Sequence, residues 1–222
     1  GDGIKTIDYS VFCNTKLKNI YVRATNSLSL NEGIQKFNGI NNVNISFETL
    51  ETVFTKVNDE RITVNITGIL NSNDLVKAGI TSTNLKSVVI GYNINYINNS
   101  TFMGFSNLQS VSIPDSVTTI GNNVFKNCSE LQSVNISSSI TNIDNHTFSN
   151  CTKLTSITIP SNVTSIGSHA FEDCNALHTV IISNSVTTIA NSAFYGCISL
   201  ENFTMSDSVT DINTDVFKYS GL

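Results

Sequence analysis

One interval constrains this chain more than any other feature: 23 residues. Leu85, Leu108, Leu131, Leu154, Leu177 and Leu200 succeed one another at that spacing without a slip. Three residues after each leucine come Val88, Val111, Val134, Ile157, Val180 and Phe203. Two further on stand Ile90, Ile113, Ile136, Ile159, Ile182 and Met205. The L-x-x-V-x-I spacing ends in period two, so it reads as a short strand with one buried face. A second apolar pair follows, such as Val117 with Ile120 or Val163 with Ile166, and then a column of Phe102, Phe125, Phe148, Phe171, Phe194 and Phe217. One such unit is too small to bury its own apolar face. Stacked units bury a continuous one, so a repeat of this length predicts a solenoid whose neighbouring strands lie about 4.8 Å apart in a parallel sheet.

The same ruler fits the N-terminal third. Leu17, Ile20 and Val22 return 23 residues later as Ile40, Val43 and Ile45, and Val64 with Ile66 gives a further strand at a slightly different spacing. Between these strands, "SFETLETVFTKVNDE" sets Phe47, Leu50, Val53, Phe54 and Val57 at helical intervals after Ser46 as a cap, and "SNDLVKAGI" suits a shorter helical turn. The expectation is therefore an α/β repeat solenoid spanning residues 1–222 as a single unit, divergent over 1–84 and regular over 85–222. It would be a curved stack of roughly nine strands, with a parallel concave β-sheet, short or irregular convex segments, and longer helices in the N-terminal coils. A separate N-terminal domain is the alternative. The chain opens on "GIKTID" and closes on "FKYSGL", both in mid-repeat. Solenoids need polar caps, so the expectation is a segment of a longer protein, its ends covered by flanking repeats or a partner.

Composition excludes several classes of function. The chain is 40% hydrophobic but only 13% charged, against about 25% for a typical soluble domain. Asn, Ser and Thr keep the surface wet instead. A net charge of −5 and no block of Lys or Arg argue against nucleic acid, where affinity comes from neutralised phosphates. No apolar run reaches the about 18 residues of a membrane span, so direct membrane insertion by this segment is not expected. Searches for H-E-x-x-H, G-x-G-x-x-G, a Walker loop or G-x-S-x-G find nothing, and no catalytic residue or cofactor is expected.

Cys128, Cys151, Cys174 and Cys197 form their own column at the same interval. Metal centres need several ligands around one point, and each coil offers one thiol. A disulfide between neighbouring coils is geometrically conceivable. But Phe105 fills the column in the preceding coil and Ser220 in the last. A slot that accepts phenylalanine is an apolar packing slot, and free cysteine suits one. Cys13 stands off the column. His146 and His169 occupy equivalent positions one coil apart, where two imidazoles without a third ligand make a poor zinc site, so no metal is expected. Thr118, Thr141, Thr164, Thr187 and Thr210 form a row that reads as an exposed strand edge.

The unit "LQSVSIPDSVTTIGNNVFKNCSE" at 108–130 and "LTSITIPSNVTSIGSHAFEDCNA" at 154–176 strongly resemble the BspA-like (TpLRR-type) leucine-rich repeats, whose pattern is L-x-x-I-x-I-P…V-x-x-I-G…A-F-x-x-C. The resemblance is close from Leu85 onward, partial over residues 4–22, and absent over 24–84 except in strand spacing. It implies a cell-surface or secreted protein with no catalytic residues, adhering to a host or matrix protein or glycan through the repeat surface. The matching positions are structural: the Leu, Val/Ile, Phe and Cys columns, with Pro114 and Pro160 closing strands.

In such a fold the x positions of L-x-x-V-x-I point out from the concave face. The candidate binding face is Tyr21, Val89, Ser110, Ser133, Asn135, Ser156, Thr158, Thr179, Ile181 and Thr204. It is almost uncharged, and only Tyr21 is of a type favoured at binding hot spots. The plainer reading is that a solvated Ser/Thr/Asn ladder satisfies strand preference alone. The sharper expectation is a shallow platform for an extended peptide or a glycan. Two others stand beside it: a spacer or stalk within a larger surface protein, and an intracellular protein-interaction scaffold, which unpaired cysteines would suit.

Overall fold

The computed structural model describes residues 94–222 without a gap. Before Ile94 it describes strands Ile4–Ile7, Asn19–Leu30, Asn42–Phe47, Val53–Lys56, Arg61–Asn65, Gly68–Leu70 and Ser87–Ile90, helix Ser72–Lys77, and a few flanking residues. Side chains are described only from Leu70 onward.

Each regular coil has three sides. The first is the L-x-x-V-x-I strand. An eight-stranded sheet takes in every strand named above except Gly68–Leu70, and continues through Ser110–Ser112 to Ser133–Asn135. A separate three-stranded sheet carries on with Ser156–Thr158, Thr179–Ile181 and Asn202–Thr204. The second side is a short strand of two to four residues. Gly68–Leu70, Ile94–Ile97 and Thr119–Ile120 form one sheet; Asn142–Ile143, Ser165–Ile166, Thr188–Ile189 and Asp211–Ile212 form another. The third side is a run of turns, and among residues 94–222 it contains no helix.

That third side carries the stacking order. Phe102 N–H donates to Val124 O (3.0 Å), Phe125 to Thr147 (2.9 Å), Phe148 to Ala170 (2.8 Å), Phe171 to Ala193 (2.8 Å) and Phe194 to Val216 (2.9 Å). To keep turning within six residues, the backbone enters the left-handed region twice per coil. One position holds Ser100, Asn123, His146, His169, Ser192 and Asp215, and the other Gly104, Asn127, Asn150, Asp173, Gly196 and Tyr219. Asn, Asp and Gly dominate because they tolerate that region best. Inside it the phenylalanines stack nearly parallel, with centroids 5.5 Å apart for Phe125–Phe148 and 5.1 Å for Phe171–Phe194. Fully burying a ring of this size is worth about 1.5–3 kcal/mol, so this column is a large part of the core.

The four column cysteines are free, buried thiols. Each S–H points at the phenylalanine carbonyl one coil back: Cys128 to Phe102 O (3.2 Å), Cys151 to Phe125 O (3.3 Å), Cys174 to Phe148 O (3.2 Å) and Cys197 to Phe171 O (3.1 Å). Burial pushes the Cys128 and Cys197 thiols up to about 12 and the other two well above their ordinary value. They are packing groups, not nucleophiles. Cys13 lies outside the described residues.

Two N-terminal expectations need correction. The helix expected after Ser46 is not there. Phe47 ends strand Asn42–Phe47, and Val53–Lys56 is itself a strand, antiparallel to both Asn42–Phe47 and Arg61–Asn65. The β-branched and aromatic run Val53-Phe54-Thr55 prefers a pleated neighbourhood, and here it completes the ladders of two strands. Leu50 and Val57 lie outside the described residues. The shorter helical segment does form, as Ser72–Lys77. The strand read from Val64 and Ile66 is Arg61–Asn65, and its register is set earlier: Ile62 pairs with Val88 and Val64 with Ile90.

Candidate functional site: a nick in the strand face

The outward positions of neighbouring strands fall into rows as the 23-residue interval requires. Ser110 pairs with Ser133 and with Ser87, whose hydroxyl accepts from that of Ser110 at 2.9 Å. Asn135 pairs with Ser112, and Val89 lies on the other side of Ser112. Ser156 pairs with Thr179, and Thr158 with Ile181, which pairs in turn with Thr204. Tyr21 pairs with Asn44 on strand Asn42–Phe47; its side chain lies outside the described residues.

Between Ser133–Asn135 and Ser156–Thr158 the ladder stops. Elsewhere the residue just after the strand donates forward: Ile113 N to Asn135 O (3.0 Å), Ile159 N to Ile181 O (2.9 Å), Ile182 N to Thr204 O (3.4 Å). Ile136 makes no such bond to Thr158. The core loosens at the same place. Val134 and Ile136 are half-buried, whereas Val111, Ile157 and Val180 at the equivalent position are 3%, 4% and 0% exposed. A cleft of about 380 Å³ opens there, lined by Ser133, Asn135, Ser156 and Thr158 together with Val134 and Ile136.

Coil 131–153 is held asymmetrically. At the strand corner it clings to the preceding coil: the buried Ser137 hydroxyl donates to Val117 O at 2.7 Å, and Ser138 donates from its N–H and hydroxyl to Asp115 Oδ1 at 2.8 and 2.9 Å. On the second side it pairs with the following coil only, because Thr119–Ile120 and Asn142–Ile143 belong to different sheets. The residue after the second strand is Gly121, Asp144, Gly167, Ala190 and Asn213 in successive coils. All but Asp144 donate to the preceding coil, at 2.7–3.0 Å. A Cβ on Gly167 would meet the preceding backbone at 2.8 Å, so the slot is tight, yet Asn213 is accepted. What Asp144 adds is charge: burial raises its carboxyl above the ordinary range, and a carboxylate resists entering such a slot.

Of the ten residues expected to form the binding face, four therefore line one cleft: Ser133, Asn135, Ser156 and Thr158. Val89, Ser110, Thr179, Ile181 and Thr204 flank it along the rows, with Ile181 47% exposed. Val134 and Ile136 were not foreseen as lining, and their L-x-x-V-x-I signature is intact. The cleft offers hydroxyls and the amides of Gln132 and Asn135 beside apolar surface. No ionisable group lines it, so it is equipped for hydrogen-bonded recognition. No helix among the described residues is long and apolar enough to cross a membrane.

Comparison with known proteins fits this geometry. The pattern of the BspA type leucine rich repeat region matches residues 95–222 in six copies. A leucine rich cell surface protein from Faecalibacterium prausnitzii is 26% identical with a TM-score of 0.58, over 94% of this chain and 55% of its own. A leucine-rich repeat protein from Eubacterium ventriosum is 21% identical with a TM-score of 0.67, over 98% of this chain and 63% of its own. The chain thus spans less than two thirds of either. No curated protein matches it. With six copies of the pattern over more than half its length, each folded as one coil of a parallel stack, the chain belongs to the BspA type leucine-rich repeat family.

Proposed function

We propose that this chain is a non-enzymatic recognition module of a cell-surface or secreted protein, and that it holds an extended stretch of a host or matrix protein, or a glycan, across the strand face at the nick. One observation carries the reading: four outward polar residues surround a cleft of about 380 Å³ at the one place among the described coils where the long-strand ladder is open. That volume lies in the range of sites that take small or extended ligands. A stack of rigid coils presents the surface pre-ordered, which lowers the entropy lost on binding. The cell-surface location is supported by the Faecalibacterium relative described as such.

The test is surface binding of the whole chain to immobilised fibronectin, fibrinogen and a glycan panel at physiological salt. Saturable binding that weakens about thirtyfold in Asn135→Ala with Thr158→Ala, each polar contact contributing on the order of 1 kcal/mol, supports the reading. Binding unaffected by both changes places recognition elsewhere on the surface. No binding above that of an unrelated solenoid returns the chain to the role of a spacer.

A further inference from the structure

We propose that His146, His169 and Glu172, on the turn side, bind a borderline divalent cation of the zinc class. Sequence reading stopped at two imidazoles. The fold supplies the third donor, because the left-handed residue at His169 curls the turn so that Glu172, three residues on, comes back beneath both rings. Glu172 Oε1 lies 3.1 Å from His169 Nδ1, and Oε2 lies 3.8 Å from His146 Nδ1. The three donor atoms all fall within 4.8 Å of one another. Two imidazole nitrogens and a carboxylate oxygen, with one position left for water, are a donor set that zinc accepts, whereas calcium and magnesium prefer oxygen alone.

The site has the marks of an unmet need. The Nδ1 atoms of both histidines are buried and make no hydrogen bond. The short contact from His169 to Glu172 is not aligned as one. Leaving two ring nitrogens unpaired is costly, and a shared cation would satisfy both. The frame around them is fixed: His146 and His169 sit at φ 55° and 56°, and their N–H groups donate to Ser168 O and Asn191 O, both at 3.0 Å. Ser149 Oγ donates to Glu172 Oε2 at 3.2 Å, the kind of outer contact that orients a ligand. The rings stack 4.8 Å apart at 4°. Tetrahedral donors lie about 3.4 Å apart, so coordination requires the rings to rotate out of their stack. At 31% and 35% side-chain exposure they have room to do so.

The charged side chains acting on His146 are Lys126 and Glu172. Burial first, then Lys126 and His169, hold His146 below its ordinary value, and Glu172 opposes them. Neutral imidazole is the form a metal needs, while Lys126 itself repels a cation.

The experiment is calorimetric titration of the chelator-treated whole chain with zinc chloride, at about pH 7.5 where histidine is neutral. His169→Asn and Glu172→Ser are suited to it, because Asn123 and Ser149 already occupy those columns. One ion per chain at micromolar affinity is expected, weakened at least about tenfold by either variant. Lys126→Ser should tighten it. Zinc should raise the thermal midpoint of the parent protein and of His178→Ala, but not of His169→Asn or Glu172→Ser. Binding equal in parent and both variants, binding abolished instead in His178→Ala, or no saturable binding below about 1 mM would overturn the proposal.

Discussion

The turn side and the strand side of this solenoid are built from the same 23 residues and obey different rules. On the turn side every described coil is bonded to the next, with Phe–Val/Thr/Ala bonds of 2.8–3.0 Å from Phe102 to Val216. Among the described strands, the strand-side ladder breaks between Asn135 and Thr158, and the second-side ladder one coil earlier. Continuity therefore rests where the buried phenylalanines and thiols are, and openness occurs where side chains are small and polar. A surface that binds by hydrogen bonds can give up backbone pairing locally, provided another side of the coil holds the stack.

That contrast can be broken in four ways. The largest effect should come from alkali. The column thiols are pushed up to about 12 in Cys128 and Cys197 from an unfolded value of 9.0. A raised folded value stabilises fully below the unfolded one and is lost as pH climbs towards the folded one. Stability should thus hold to about pH 9 and fall steeply above it, each thiol removing about 2 kcal/mol by pH 10.5. Thermal unfolding across that range would show it, and a flat profile would mean that the thiols are not buried as described.

Next, Phe148→Ala should lose about 3–5 kcal/mol in urea unfolding; its ring is fully buried between Phe125 at 5.5 Å and Phe171 at 5.3 Å. Val134→Ala, half-buried at the nick, should lose only about 1 kcal/mol. Equal losses would erase the difference between the two sides. Smaller still, Asp144→Asn should stabilise by roughly 0.5 kcal/mol at neutral pH, a figure reduced for solvent screening. Because burial raises this carboxyl, the gain should vanish below pH 4, where the parent residue is itself protonated. If the gain persisted there, the open ladder would have to be traced to shape and not to charge. Least of all, Ser156→Ala and Thr158→Ala, both exposed, should change stability by under about 0.5 kcal/mol. A larger change would mean that these side chains hold the strands in place and are not free for a ligand.

Much of this was legible in advance, for reasons that differ by region. Leu, Val/Ile, Phe and Cys recur at one interval, and the interval alone fixes that Ser133 pairs with Ser110 and Ser156 with Thr179. The cysteine column was readable because Phe105 and Ser220 share it, and Phe105 is indeed buried. Strand Val53–Lys56 was misread because its apolar residues satisfy a helical period as well as a strand, and a missing ladder partner decided between them. The nick was illegible: "LQSVNI" in coil 131–153 has the same pattern as its neighbours, and the strand sequence itself carries no sign that the ladder to the following coil is open. Glu172 escaped because its approach to the histidines depends on a left-handed turn that spacing does not reveal.

The two left-handed positions per coil have a consequence for how such a surface can change over generations. Holding a residue other than glycine there carries a modest penalty, on the order of 1 kcal/mol, smallest for Asn and Asp and bearable for any side chain that is not β-branched. In successive coils the first position has held Asn, His, His, Ser and Asp, from Asn123 to Asp215, without altering the path of the backbone. The solenoid thus provides a row of interchangeable sockets. Amide, imidazole, hydroxyl and carboxylate can be exchanged there one coil at a time, so that new chemistry can be tried on an old scaffold without first having to refold it.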